Sequence, residues 1–371
     1  MLRQVRNILL GIGVALLGIL ILQKSGTYVI QHVTEKCFLP GVLFVIGGNE
    51  ETVSVKRSME RLFPLYQYVN KHAPIVAEVE DMRTYQMLLK EQAKDEENIS
   101  EDIKEPTQGA AQTTLSKLDM SMEKLRDFNY LVRHFYTVDS TTTIGPEQLN
   151  VDSLLKKDMH IKKDGNGPKV LIFHTHSQET FADSKPGDTK TSIVGMGQYL
   201  GELLNAKGIP TLHHAGVYDL VNGKLDRSNA YELSEAGVRK ILKQYPSIEV
   251  VIDMHRDGVP ETTHLVTNVN GKQTAKIMFF NGLSRTKSQG DIAYLKNPYI
   301  QDNLSFSLQM QLQTESMYPG FARRIYLKGY RYSLHMMPKS LLIEAGAQTN
   351  TVQEMKNAME LLANVLEKVL L

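Results

Sequence analysis

Three short apolar runs, each closing on a histidine or a glutamate, constrain this chain more than any other feature. The first is Val170-Leu-Ile-Phe, followed by His174-Thr-His176. The second is Val250-Val-Ile, followed by Asp253-Met-His255-Arg256-Asp257, and the third is Leu341-Leu-Ile followed by Glu344-Ala-Gly346. Runs of aliphatic and β-branched residues this short, bounded by polar ones, read as strands buried on both faces. In open α/β sheets, sites lie just beyond the carboxyl ends of the strands. Three strands that each deliver an imidazole or a carboxylate there predict one shared site.

From Val170 onward strand-like and helix-like stretches alternate, which predicts the α/β class. The spacing predicts a helix over 193–206 stopped by Gly208, a strand over 210–213, and a helix over 229–244 stopped by Pro246. A strand over 250–253 then carries His255 at its exit. Asn270-Gly271 marks a hairpin within 264–280, a long helix follows over 300–318, and the third apolar run is a strand over 341–343. Beyond Gly346, Thr351 with Glu354 three residues later is a capping box opening the last helix. Residues 125–136 read as a helix or an irregular packing arm.

The amino-terminal part has a different character. Arg3 and Arg6 precede an uncharged apolar run over 8–22, closed by Lys24. It is shorter than the roughly 20 residues that span a bilayer comfortably, and it overlaps a secretory signal in length. Gln23-Lys24-Ser25 is a poor cleavage site, so an uncleaved anchor is expected over 1–24, ahead of a cleaved signal peptide. Its positive flank places the rest of the chain outside the cytoplasm, on a single-pass anchor in the cell membrane. A membrane-proximal region over 25–92 and a polar linker over 93–114 precede a catalytic domain over 115–371 with its core at 168–371. Net charge near +1, with 22% charged residues, gives no basic stripe for nucleic acid. The sole cysteine, Cys37, excludes a cysteine cluster.

Neutral imidazole and carboxylate suit a zinc ion, and His174, His176 and Glu179 follow the first strand. In a continuing strand His174 and His176 would share a side; one would bind metal while the other orders the loop. His255 is the next candidate, with an acidic neighbour fixing its tautomer and Arg256 available for a carboxylate or a carbonyl. The alternative for Asp253, His255, Arg256 and Asp257 is an ion-pair network. Glu344, set among apolar residues that raise its pKa, suits a general base. His213 and His214 stand at another strand exit, and His335 precedes the last strand, where it would face a substrate. No Gly-x-Ser-x-Gly elbow is present.

The strings VLIFHTHSQETF, VVIDMHRDG and SLLIEAGAQTNT, in that order after an amino-terminal anchor, resemble the stage II sporulation protein P family. The resemblance runs from about Phe128 to the carboxyl terminus. That family is similar to the zinc-dependent N-acetylmuramoyl-L-alanine amidases, which implies a twisted mixed sheet flanked by helices with the metal at strand ends. It places the metal ligands on His176 and His255 and the catalytic glutamate on Glu344. The amidases take their glutamate ligand from a region that here, over 190–198, contains no Glu. Glu179 is the candidate third ligand, with His214 or His174 in reserve. The resemblance further implies peptidoglycan hydrolysis during engulfment in a spore-forming bacterium, with the chain in the engulfing membrane. Cleavage of peptide cross-links and partnership with the lytic transglycosylase stage II sporulation protein D are also implied.

The resulting expectation is a zinc amidase: Zn2+ on His176, His255 and Glu179, Glu344 as the acid–base group, and Arg256 beside the oxyanion. Two other classes fit the same residues. One is a metal-dependent phosphoesterase or deacetylase; the other is a non-catalytic wall-binding scaffold.

Overall fold

The computed structural model describes residues 118–165 and 167–371. The expected anchor, membrane-proximal region and linker, with Cys37, lie outside the described residues. Among those described, no helix is long and apolar enough to cross a membrane.

In chain order the body begins with α1 (Met122–Arg126), α2 (Phe128–Phe135), β1 (Tyr136–Val138), α3 (Val151–Lys156) and β2 (Val170–Phe173). Next come α4 (Ile193–Ala206), β3 (Thr211–His213), the two-residue strands β4 (Leu220–Val221) and β5 (Lys224–Leu225), and α5 (Ala230–Gln244). Then follow β6 (Val250–Asp257), β7 (Val266–Val269), β8 (Lys272–Ala275), β9 (Ile277–Gly282), β10 (Arg285–Thr286) and β11 (Gly290–Asp291). The chain closes with α6 (Ile300–Met317), β12 (Ile325–Lys328), β13 (Lys339–Ala347) and α7 (Val352–Leu370).

Seven strands make one sheet in the order β1-β12-β9-β13-β6-β2-β3. Every neighbouring pair is parallel except β9 with β13. The sheet is therefore mixed, made of two parallel blocks of opposite polarity joined at that one antiparallel seam. The carboxyl ends of β2, β6 and β13 lie together, because these three are successive parallel neighbours.

Alternation sorts each central strand into two faces. Val170, Ile172, Val250, Ile252, Met254, Leu341 and Ile343 share the larger core with Met196 and Leu200 of α4, Leu304 and Leu308 of α6, and Met355 and Leu362 of α7. On the opposite face Leu171, Phe173 and Val251 pack with Val238 of α5, while Phe280 and Leu342 pack with Tyr231 and Tyr332. Asp253, His255 and Glu344 fall on this second face by the same alternation. Buried polar side chains need partners, and the site supplies them.

Several expected elements differ in extent. The second apolar strand runs on through Asp257, so His255 lies within β6 rather than beyond it. The third runs from Lys339 to Ala347 and carries Glu344 inside it. Parallel pairing of β13 with β6 extends both, with Glu344 opposite His255. The Asn270-Gly271 hairpin forms between β7 and β8, with φ of 53° and 81° at its two turn residues. The rest of that stretch leaves the hairpin as β9 and enters the main sheet. Residues 125–136 are two short helices leading into edge strand β1.

Candidate active site

The site begins where β2 stops. Because the strand ends at Phe173, alternation is broken and His174 and His176 part company. His174 turns toward α4: its Nδ1 lies 2.8 Å from the Met254 carbonyl and its Nε2 lies 3.0 Å from Nε2 of His213. A Cβ on Gly197 of α4 would overlap that ring, so the glycine makes room for it. His176 turns the other way, into the cavity. The two would share a side only in a continuing strand, and the strand ends before either of them.

His176, Glu179 and His255 are all buried, and each offers a ligand atom within 4.8 Å of the others. The rings of His176 and His255 lie 5.0 Å apart, nearly perpendicular, and Tyr231 of α5 stacks against His255 at 6.5 Å. Glu179 Oε1 stands 3.8 Å from His176 Nδ1, while Oε2 accepts the backbone N–H of Arg256 at 2.8 Å. These groups and Glu344 line a cavity of about 260 Å³, together with Leu225, Arg227 and Arg256. The structure therefore brings together His176, Glu179, His255, Arg256 and Glu344, the five residues expected at a zinc amidase site.

Behind the cluster sits Asp253. It accepts the Thr175 N–H at 2.9 Å, the Thr175 hydroxyl at 2.7 Å and the Ser333 hydroxyl at 2.7 Å. His255 Nε2 is 2.8 Å from the same carboxylate, although out of line for a straight N–H bond. Burial alone would raise the Asp253 pKa, but His255, Ser333 and Thr175 hold it below the ordinary carboxylate value. Burial opposes charge on His255, yet Asp253, Glu179 and Glu344 outweigh it and raise its pKa well above the ordinary one. Burial and the neighbouring His255 keep His176 well below its usual value, hence neutral. Burial pushes Glu179 up. A field that favours positive charge at His255 would also favour a cation in the cluster.

Two imidazoles and a carboxylate form the donor set of open catalytic zinc sites, so these residues fit the ion. The reserve ligands are engaged elsewhere. His174 faces His213, and His214 Nε2 is 2.6 Å from the Tyr218 hydroxyl. His335 does not face the cavity, because its Nε2 lies 2.9 Å from Glu235 on α5. The ion-pair alternative applies to part of that group: Asp257 pairs with Arg323 at 2.5 Å, both buried, and Asp253 lies 2.8 Å from His255.

Asp219 and Arg227 escaped the sequence reading. Asp219 is buried and accepts the Ser177 hydroxyl at 2.7 Å and the Gln178 N–H at 3.0 Å, tying the loop after His176 to the β4–β5 hairpin. The Asn222-Gly223 turn, with φ of 52° and 74°, was the signal for that hairpin. Nothing in the sequence shows that it folds against the first strand's exit.

Fold and site define a class: a mixed α/β sheet whose parallel strand ends gather two imidazoles and two carboxylates around one cavity. Among solved structures, the CwlD amidase of Clostridioides difficile in complex with the GerS lipoprotein is similar at 15% identity and a TM-score of 0.35, over 54% of this chain and 98% of that one. The N-acetylmuramoyl-L-alanine amidase AmiC2 of Nostoc punctiforme is similar at 12% identity and a TM-score of 0.32, over 55% and 96%. No curated protein matches the chain. The sequence profile of stage II sporulation protein P matches residues 54–367. The chain belongs to that family.

Proposed function

We propose that this protein is a zinc-dependent peptidoglycan hydrolase that cleaves the amide between the N-acetylmuramoyl lactyl group and L-alanine. Membership of the family supports a peptidoglycan hydrolase role in sporulation. The observation that carries the finer reading is the convergence of His176, Glu179 and His255 on one cavity that Glu344 also lines. The proposal extends to cross-link cleavage, to a role in engulfment from a membrane anchor, and to partnership with stage II sporulation protein D.

His176, Glu179 and His255 would hold the ion. When bound, Zn2+ supplies Lewis-acid polarisation and acidifies water. Asp253, with a carboxylate oxygen 2.8 Å from His255 Nε2, holds the imidazole beside it by charge. Glu344 accepts the proton of the attacking water and returns it to the leaving amine, a role suited to a buried carboxylate. Arg256 places a guanidinium beside the cavity, where it can donate to the developing oxyanion.

The test is to incubate the purified protein with sacculi, with and without a zinc chelator, and identify new amino termini. New L-alanine termini that vanish with chelator are expected; new cross-link termini would add the endopeptidase activity. Glu344→Gln should still bind Zn2+ while losing on the order of 10²–10⁴ in turnover. Released acetate or phosphate would move the reading to a deacetylase or phosphoesterase. Binding to sacculi without cleavage would leave a scaffold.

A further inference from the structure

The proposed chemistry uses Arg256 and leaves a second cavity arginine, Arg227, without a task. Arg227 stands between β5 and the first turn of α5, on a segment fixed at both sides. The Asp226 N–H donates to the Asp219 carbonyl at 2.9 Å, and the Ala230 N–H donates to the Arg227 carbonyl at 3.1 Å. Asp219 is itself bound to the loop that follows His176. The backbone that carries the guanidinium is thus held beside the cluster, and the side chain is only 16% exposed.

Its donors are poorly used. Arg227 makes one long contact, Nη2 to Glu179 Oε1 at 3.4 Å, and its Nε is buried with no acceptor among the described residues. Arg256 is in the same condition. One Nη1 bond reaches the Asp257 carbonyl at 3.1 Å, and its buried Nε likewise meets no acceptor among them. Asp257 does not neutralise Arg256, because its carboxylate is paired with Arg323. A buried donor without an acceptor costs free energy, and a planar guanidinium fork matches a carboxylate in two-point contact. Leu225, exposed at the cavity rim, sets an apolar wall beside the two forks.

We infer that Arg227 and Arg256 form a carboxylate-binding subsite that selects a peptide carrying a free carboxylate close to the scissile amide. The identity of the substrate rests on the hydrolase reading; the subsite itself rests on the two half-buried guanidinium forks and their buried Nε atoms. Arg227 is then the specificity-determining residue. Arg256 serves both the subsite and the reacting carbonyl, so it is the poorer choice for a test.

The experiment compares two synthetic muramoyl dipeptides identical except that the second residue carries either a free α-carboxylate or the carboxamide. The wild-type protein should favour the acid at least tenfold in kcat/KM. Arg227→Gln should reduce that preference to about twofold, chiefly through KM for the acid. Arg227→Lys, a point charge without a fork, should fall between. If Arg227 only steadied Glu179, both substrates would suffer equally and Zn2+ affinity would fall with them; that pattern overturns the inference. Equal use of acid and amide by the wild type overturns it too, while leaving the hydrolase reading intact. If neither compound is cleaved, calorimetry on the Glu344→Gln protein decides. Tighter binding of the acid, lost on adding Arg227→Gln, sustains the subsite although the hydrolase reading fails. Equal or no binding ends it.

Discussion

Asp253 decides how His255 is presented. Its two oxygens already take three hydrogen bonds from Thr175 and Ser333, so the carboxylate cannot swing away from the imidazole. Carboxylates behind metal-binding histidines typically contribute 10–100-fold to metal affinity. Asp253→Asn should therefore weaken Zn2+ binding by about that factor, measured by competition with a chromogenic chelator. Unchanged affinity would reduce Asp253 to a strut for the loop carrying Thr175. At this scale the sequence was most legible. His176, Glu179, His255, Arg256 and Glu344 could be named because each follows or ends an apolar run. The choice of His176 over His174 came from the family resemblance; the residue pattern alone left it open, since it depends on which residue ends the strand.

Among elements, the junction of β2, β3 and α4 carries a predictable liability to acid. Burial, reinforced by His213, holds the His174 pKa down to about 3, and burial holds His213 down to about 4, from an ordinary 6.5. Groups depressed in this way bind protons more readily in the unfolded chain. Stability is therefore complete above pH 6.5 and falls as the pH drops from 6.5 toward 4 and 3. His213→Gln can keep a hydrogen bond to His174 without titrating. Urea denaturation of the metal-free proteins should show a shallower loss between pH 6.5 and 4 in the variant. Equal slopes would place the acid sensitivity elsewhere. The helix that covers this pair was legible from its periodicity and its Gly208 stop, and α4 spans Ile193–Ala206 as expected. The use of Gly197 was not, because a glycine inside a helix shows its purpose only when a neighbouring element presses against it.

At the scale of the whole molecule, an ion held by both the loop after β2, through His176 and Glu179, and by β6, through His255, would link the folding of those two segments. Binding at a hundred times the dissociation constant adds about 2.7 kcal/mol, which for a body of this size raises Tm by about 5–10 °C. Zn2+ should produce such a shift in the full chain, and Glu179→Gln should remove most of it. A full shift in that variant would exclude Glu179 as the third ligand. The sequence by itself determined the α/β class, the buried strands and the residues at their ends, because apolar runs, alternation, turn pairs and the capping box act over a few neighbouring residues. Strands β1 and β12, three and four residues long at one side of the sheet, are too short to show a period. The tertiary structure alone decided the antiparallel seam between β9 and β13, the turning of His174 away from His176, and the arrival of Asp219 and Arg227 beside the site. Each of these depends on backbone pairing or side-chain packing between segments far apart in the chain, whose free energy is realised only when the sheet closes around them.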